Sequence, residues 1–466
     1  MTKSQELAKN TLIIAVGKLF TQLLTFLLLP IYTFFLTPAD YGMVDLILTY
    51  VLLLTPLATL QVERATFRYL IDSRSDRKKI GIIITNSFII LTLGAMIACI
   101  VILACNLFYS IPLVVLAALL GIATIYSSLL QQIARGMGKN KTFSIGSIIT
   151  GIFQVVFVII FIVYLKYGAE GILIASIIAN AAGITYFIYS TKCWRYIRIS
   201  NFDKSYSRSL LSYSMPLVPS NLAWWVINVS DRTIISIFMG MTANGMYAIS
   251  ARLSSILTML YAIYDMSWTE SVSLHINSED RHQFFSSSMD QALRFFSSVG
   301  ALLVGGIAMA FPYIVGKAYN EAYYYIPILV LGALFGGIVS QYSALYIATK
   351  ETKKVASSSI GAALINLVIT LFGIHFIGIY AAAFATVISF LAMAIYRHYD
   401  TKKYVTITYK KSTFISLCIA YLLIAILYYQ NTVACSIATL FIAIGFTVFV
   451  NQSLFKNGFI ALKNRR

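Results

Sequence analysis

The feature that most constrains the fold is the way in which basic residues alternate between the long apolar stretches of the chain. Thirty of the 35 lysines and arginines lie in or beside every second connection, and only Lys166 and Lys317 lie in the connections between them. Basic residues are retained on the cytoplasmic side when a membrane protein inserts. The alternation therefore predicts a chain that crosses a membrane many times, and it assigns one set of connections to the cytoplasm.

The composition agrees with a membrane protein. The chain of 466 residues is 59% hydrophobic and 11% charged, whereas soluble domains contain about 25% charged residues. Its apolar runs are continuous and reach the roughly 20 residues that a helix needs to cross a bilayer, which favours helices over alternating barrel strands. The net charge of +18 is then mostly a signal of topology, so we expect no nucleic-acid partner.

The sequence predicts an all-α polytopic fold with about fourteen transmembrane helices. The predicted spans are residues 11–36, 41–62, 80–107, 112–134, 142–165, 170–190, 208–237, 243–267, 291–315, 325–348, 355–375, 379–397, 412–429 and 432–451. An even number of spans places both termini on one side, and the basic residues at both ends assign that side to the cytoplasm. The first span lacks a small-residue cleavage site, so it is interpreted as a span and not as a removed signal peptide.

A weak internal repeat lies at a spacing of about 210 residues. Residues 133–139 (IARGMGK) resemble residues 347–353 (IATKETK), and residues 171–175 (GILIA) resemble residues 378–382 (GIYAA). The two matches keep their order and nearly keep their spacing. They indicate that the chain contains two related halves.

The repeat predicts the domain organisation. We expect one six-helix bundle at residues 1–200, a second at residues 201–405, and two additional transmembrane helices with a basic cytoplasmic tail at residues 406–466. Because six spans separate equivalent positions, both halves cross in the same direction. The two bundles are then expected to be related by a pseudo-two-fold axis along the membrane normal, as in some transporters.

Ionisable residues inside the spans are the first candidates for function, because each costs several kcal/mol in hydrocarbon unless it is paired or hydrated. They include Lys18, Asp45, Asp231, Arg232 and Arg252. Asp231 and Arg252 lie at similar depths of consecutive spans, so they either form a structural ion pair or belong to a hydrated path for an anionic group. Lys18 can instead extend to the cytoplasmic surface. Asp45 is either solvated near the outer surface or binds a coupling ion.

Other residues point to movement, and none points to catalysis. Pro216 and Pro219 fall within one predicted span, where they form either a bending gate or a static kink. The five cysteines and four histidines are scattered, so no metal site is predicted. The chain lacks a phosphate-binding G-x-x-x-x-G-K-[ST] loop. The outward connections are too short for a glycan polymerase or ligase, so we expect a protein that is not an enzyme.

Four motifs identify a family resemblance. Residues 36–42 (LTPADYG), 61–68 (QVERATFR), 213–220 (YSMPLVPS) and 245–252 (GMYAISAR) resemble the Wzx-like oligosaccharide flippases, which export O-antigen and exopolysaccharide within the MOP superfamily. The resemblance covers essentially the whole chain. It is specific for the superfamily and less specific for the polysaccharide branch.

The resemblance implies a function. Two helical bundles would enclose a cavity through which a polyprenyl-diphosphate-linked oligosaccharide passes from the cytoplasmic to the periplasmic leaflet of a bacterial inner membrane by alternating access. Lys18 and Arg252 match cavity cations of the family, and Asp45 matches a cavity carboxylate. Arg64 and Arg68 would capture the diphosphate on the cytoplasmic side. The product would be an O-antigen-like polysaccharide, as in lipopolysaccharide biosynthesis.

The implied partners are the lipid-linked oligosaccharide, membrane lipids and other membrane proteins of glycan assembly. No cofactor is implied apart from a coupling ion, either H⁺ or Na⁺. Two alternatives stay open. One is a cation-coupled multidrug transporter, or a transporter of another lipid-linked precursor, within the same superfamily. The other is a scaffold that does not transport, which would leave the intramembrane charges unexplained.

Overall fold

The computed structural model describes residues 24, 26–108 and 112–452, and these residues form helices joined by short connections. Twelve helices in this part of the chain are long and apolar enough to cross a membrane. The structure therefore confirms the prediction of an all-α polytopic membrane protein.

The helices are numbered in chain order as follows: α1 (Leu29–Phe35), α2 (Pro38–Thr59), α3 (Val62–Asp72), α4 (Arg77–Phe108), α5 (Val114–Gly136), α6 (Asn140–Val158), α7 (Gly168–Thr191), α8 (Lys204–Ser214), α9 (Val218–His275), α10 (Arg281–Ile314), α11 (Ala322–Ala348), α12 (Thr352–Ile377), α13 (Tyr380–Thr401), α14 (Lys411–Tyr428) and α15 (Val433–Val450). A π-helix at Ile159–Tyr164 continues α6.

Helix α9 contains two predicted spans in one element of 58 residues. Its only non-helical backbone is at Gly240, with φ 87° and ψ 175°, and this glycine lies inside the connection predicted at residues 238–242. The first predicted span, residues 11–36, falls mostly outside the described residues, where only α1 represents it. The twelve observed candidate spans are therefore compatible with about fourteen predicted spans, because α9 contains two of the predicted spans and the first one lies mostly outside the described residues.

Two short helices were not predicted as separate elements. Helix α3 occupies part of the basic connection 63–79, and α8 begins in the connection before predicted span 7. The predicted start of span 7 at residue 208 is wrong, because α8 ends at Ser214 and a 3-10 turn at Met215–Leu217 separates it from α9. Pro216 lies in this turn, and a proline has no N–H to donate to a continuous α-helix.

The motif LTPADYG starts helix α2. The hydroxyl oxygen of Thr37 accepts a hydrogen bond from the backbone N–H of Asp40 (3.2 Å), and the hydroxyl donates to Oδ2 of Asp40 (2.7 Å). Pro38 occupies the first turn, where its fixed φ suits a helix and no intrahelical N–H is lost. The motif is therefore a helix N-cap that begins a membrane span.

The chain divides into two compact units, Met1–Trp225 and Val226–Arg466. The core of the first unit is built from aliphatic residues of α3, α4 and α5 around Phe187 of α7; they include Leu70, Ile83, Leu129 and Ile133. The predicted domains at 1–200, 201–405 and 406–466, and the symmetry between them, stay predictions.

In the second unit, residues 405–410 join α13 to α14, and we call them the connecting segment. Burial alternates along it: Val405 and Ile407 are buried with Trp268 and Phe285, whereas Thr406 and Thr408 are exposed. This period of two is that of an extended chain.

The backbone N–H groups of Thr406, Thr408 and Lys410 donate to side chains on one face of α10. The acceptors are Nδ1 of His282 (2.9 Å), Oγ of Ser286 (3.0 Å) and Oδ1 of Asp290 (3.2 Å). These acceptors are spaced one helical turn apart. The connecting segment is therefore held along α10 by a row of hydrogen bonds.

Candidate functional site

The second unit contains a buried carboxylate that the sequence had singled out. Asp231 of α9 is 4% exposed, and its Oδ2 accepts a hydrogen bond from the hydroxyl of Tyr247, which is also buried. The backbone N–H of Arg232 donates to Oδ1 of Asp231 (2.9 Å). In a continuous helix, residues 231 and 247 would lie about 24 Å apart. The hydrogen bond therefore shows that α9 folds back on itself at Gly240.

Both candidate arginines of α9 are half-buried. Arg232 follows Asp231 directly. Asp231 lies nine residues before Gly240 and Arg252 lies twelve residues after it, so their distances from Gly240 differ by roughly 5 Å along the helix axis. An arginine side chain can bridge such a difference. The predicted pairing of Asp231 with Arg252 stays a prediction, and Tyr247 is a partner of Asp231 that the sequence did not indicate.

The first unit holds a polar cluster where α2 ends and α3 begins. Leu60 and Gln61 both adopt left-handed backbone conformations, with φ 48° and 57°, which cost roughly 1–2 kcal/mol per residue for side chains other than glycine. The backbone N–H of Gln61 donates to the hydroxyl oxygen of Thr59 (3.1 Å). Strained backbone of this kind concentrates at functional sites.

Asn221 of α9 bridges two residues of this junction. Its Nδ2 donates to Oε1 of Gln61 (3.2 Å), and its Oδ1 accepts from Nη2 of Arg64 (3.4 Å). Arg64 is otherwise exposed. The contacts hold the guanidinium at the end of α2 and leave most of its N–H groups for an anionic ligand.

Glu63, next to Arg64, is 5% exposed, and its Oε2 has no hydrogen-bond partner among the described residues. Removal from water disfavours the charged carboxylate, so burial raises the pKa of Glu63 above its usual range. The junction therefore combines an exposed cation with a buried acid whose pKa is raised.

Arg68 lies one turn further along α3. Its Nη1 contacts Oδ1 of Asp72 at 2.7 Å, and both side chains are at least half exposed. Exposed pairs of this type contribute about 0–1 kcal/mol. An anionic ligand can therefore displace Asp72 from Arg68 at little cost.

The remaining predicted site residues are placed as follows. Lys18 lies outside the described residues. Asp45 is half-buried on α2, and the neighbouring turn of this helix accepts a hydrogen bond from the indole N–H of Trp225 to the carbonyl of Thr49 (2.9 Å). Pro216 lies in the 3-10 turn before α9 and Pro219 in the first turn of α9. Their predicted gating role stays a prediction.

A buried arginine escaped the sequence analysis. Arg397 is 1% exposed, and its guanidinium donates to the carbonyl oxygen of Val339 and to the hydroxyls of Ser343 and Ser358. The sequence had counted it among the topological cations because it ends a span. These contacts join α11, α12 and α13, which indicates a structural role.

No group of three or more His, Cys, Asp or Glu side chains with metal-binding proximity occurs among residues 24, 26–108 and 112–452.

Comparison with solved structures defines the fold. A structure of the lipid II flippase MurJ in an inward closed conformation aligns with a TM-score of 0.69 at 16% identity, covering 96% of this chain and 100% of that one. An inward-facing multidrug resistance MATE family transporter of the MOP superfamily aligns with a TM-score of 0.66 at 16% identity, covering 82% and 94%. An outward-facing MATE transporter gives 0.56 at 14% identity, covering 85% and 94%. The fold is therefore the polytopic helical fold that these structures share.

The sequence then gives the family. Residues 7–268 match the family of polysaccharide biosynthesis proteins, and this match covers more than half of the chain. The chain belongs to that family. Among curated proteins, no sequence matches it.

Proposed function

We propose that this protein is a flippase for a polyprenyl-diphosphate-linked oligosaccharide, which it moves from the cytoplasmic to the periplasmic leaflet by alternating access. The observation that supports the proposal is membership of the polysaccharide biosynthesis family in a chain with a flippase fold. The product would be an O-antigen-like surface polysaccharide. The protein would act in the bacterial inner membrane with both termini in the cytoplasm, beside other proteins of glycan assembly.

The proposal assigns the first contact with the diphosphate to Arg64 and Arg68. Arg64 is exposed and contacts Asn221, and Arg68 forms an exposed pair with Asp72. Guanidinium groups bind phosphate oxygens with paired, charge-assisted hydrogen bonds. The two arginines lie one turn apart on α3, which suits two adjacent phosphates.

Passage of the head group would use the intramembrane residues Lys18, Asp45, Asp231, Arg232 and Arg252. An anionic group that moves outward across an inside-negative membrane gains about 2.3 kcal/mol per charge per 100 mV. The membrane potential therefore favours the proposed direction. H⁺ or Na⁺ is the candidate coupling ion, and no other cofactor is proposed.

A second candidate function is cation-coupled transport of drugs or of another lipid-linked precursor. The similarity to MATE transporters favours it. It predicts drug resistance in cells that express the chain and no effect on surface glycan.

Complementation tests the proposal. A strain that lacks a defined oligosaccharide flippase should regain surface glycan when it expresses this chain. Arg252→Ala should lower the recovered glycan at least tenfold at an unchanged level of membrane protein, because removal of a desolvated charged contact costs more than about 1.4 kcal/mol.

Arg252→Lys, which keeps the charge, should retain part of the activity. Arg77→Ala, an exposed change at the start of α4, is the matched control and should export normally. Normal export by Arg252→Ala would contradict the assignment of this residue, and drug resistance without glycan export would replace the proposed function by the second candidate.

A further inference from the structure

The second unit contains a cavity at a membrane boundary. Its volume is about 830 Å³, and it lies between the end of α13, the connecting segment and the start of α14. Both helices are candidate membrane spans, Tyr380–Thr401 and Lys411–Tyr428. The cavity is thus placed where lipid head groups lie.

Three lysines line this cavity, and none of its lining residues is acidic. The Nζ of Lys402 lies 4.5 Å from the centre of the Tyr399 ring. The side chains of Lys410 and Lys411 form no ion pair with the residues that the structure describes. A cavity with this lining attracts an anion.

The nearby carboxylates form ion pairs with residues outside the cavity lining. Asp290 contacts Nη2 of Arg294 at 3.2 Å and accepts the backbone N–H of Lys410. Asp400 contacts Nζ of Lys354 at 2.9 Å and Nζ of Lys403 at 3.5 Å. These carboxylates therefore form their ion pairs with Arg294, Lys354 and Lys403 and not with the three cavity lysines.

The rest of the lining suits a lipid more than a free ion. On the polar side, the hydroxyl of Tyr342 links Nδ1 of His398 (2.8 Å) and the hydroxyl of Tyr409 (3.2 Å). Phe414 and Ile415, near the start of α14, are 58% and 57% exposed. A charged head group and an apolar chain can thus bind side by side.

We propose that this cavity is a binding site for the phosphate head group of an anionic phospholipid, whose acyl chains lie along Phe414 and Ile415. Basic cavities between transmembrane helices bind anionic head groups by this combination of charge and apolar contact. The bound lipid would bridge α13 and α14 at the end of the connecting segment. This site is separate from the residues assigned to transport.

Native mass spectrometry of the full chain tests the site. The protein is released from nanodiscs of phosphatidylcholine that contain a small fraction of phosphatidylglycerol, and the mass of the retained lipid adduct is measured. We expect a phosphatidylglycerol adduct. A triple variant, Lys402→Gln with Lys410→Gln and Lys411→Gln, should bind this lipid about 100-fold more weakly, on the order of fivefold per lysine.

The matched control replaces three exposed lysines elsewhere, Lys78, Lys141 and Lys353, by glutamine; it should retain the adduct. Equal loss of phosphatidylglycerol in both triple variants would overturn the site. Displacement of the lipid by inorganic phosphate at millimolar concentration would show that the ligand is a free anion. Equal retention of phosphatidylcholine would show that the lysines do not select the ligand. Either result would overturn the lipid assignment.

Discussion

At the scale of single residues, the hydrogen bond between Tyr247 and Asp231 joins the two parts of α9 on either side of Gly240. Both side chains are buried, and a buried acceptor that loses a donor costs about 1–3 kcal/mol. Tyr247→Phe should therefore lower the thermal stability of the protein in detergent. The exposed substitution Tyr313→Phe is the control and should leave it unchanged.

A double-mutant cycle separates this contact from other effects. Asp231→Ala combined with Tyr247→Phe should destabilise the protein by less than the sum of the two single changes, because the second change cannot break a contact that is already absent. Strict additivity would show that the hydrogen bond does not contribute to stability.

Glu63 predicts a pH dependence. Burial raises the pKa of its carboxyl, so the folded chain binds this proton more tightly than the unfolded chain does. The contribution of this proton to the free energy of unfolding is complete below the pKa that Glu63 has in the unfolded chain. It is lost as pH rises through the higher pKa that Glu63 has in the folded chain.

Glu63→Gln replaces the acid by an uncharged side chain of the same length. Its melting temperature should exceed that of the wild type at about pH 8 and converge with it below about pH 4.3, the ordinary pKa of glutamate. Melting curves across this range measure the difference. A constant gap at every pH would contradict the assignment.

The sequence located charged residues along the helices but not on their faces. It singled out Asp231 because a carboxylate inside an apolar run is conspicuous, and it missed Tyr247 because tyrosine does not stand out in such a run. Arg397 was assigned to a membrane boundary from its position at the end of a span, whereas the structure buries it against Val339 and Ser343. Which neighbours a helix face meets depends on packing, and hydropathy does not contain that information.

At the scale of elements, the turn at Gly240 depends on backbone conformation alone. With φ 87° and ψ 175° the residue lies in a region that is essentially restricted to glycine, and a Cβ at this position would meet no other atom within 4 Å. Gly240→Ala should therefore destabilise the protein by about 1–3 kcal/mol through backbone strain, as measured by thermal unfolding in detergent.

Gly121→Ala is the matched control, because a Cβ there also meets no atom within 4 Å but the backbone is helical. This change should be neutral or stabilise α5 by up to about 1 kcal/mol. Equal destabilisation by both substitutions would refute the conformational explanation.

The sequence predicted those helices that contain an apolar run long enough to cross a membrane. The start of α2 was predicted at residue 41, close to its observed first residue Pro38, and the turn at residue 240 lies in the short interval 238–242 that was predicted between two spans. Helices α3 and α8 were not predicted as separate elements, because each has 11 residues, too few to cross a bilayer, and only membrane-spanning lengths were predicted.

At the scale of the whole molecule, the distribution of charge predicts the orientation. In a variant without its five native cysteines, Lys166→Cys and Lys317→Cys should react with a membrane-impermeant maleimide in intact cells. Lys78→Cys and Lys204→Cys should react only after the inner membrane is opened, because the basic connections are assigned to the cytoplasm. The reverse labelling pattern would invert the proposed topology.

The division between the compact units has a consequence for fragment design. It falls between Trp225 and Val226, inside α9, so halves expressed from two genes and cut there would each receive an incomplete helix. A cut in the 3-10 turn Ile199–Asn201 leaves every described helix whole. The N-terminal fragment would then lack α8 and the first turns of α9, and it would have to recruit them through contacts such as the Trp225 indole on Thr49. Reassembly of the two fragments would make the packing of the first unit a measurable binding reaction.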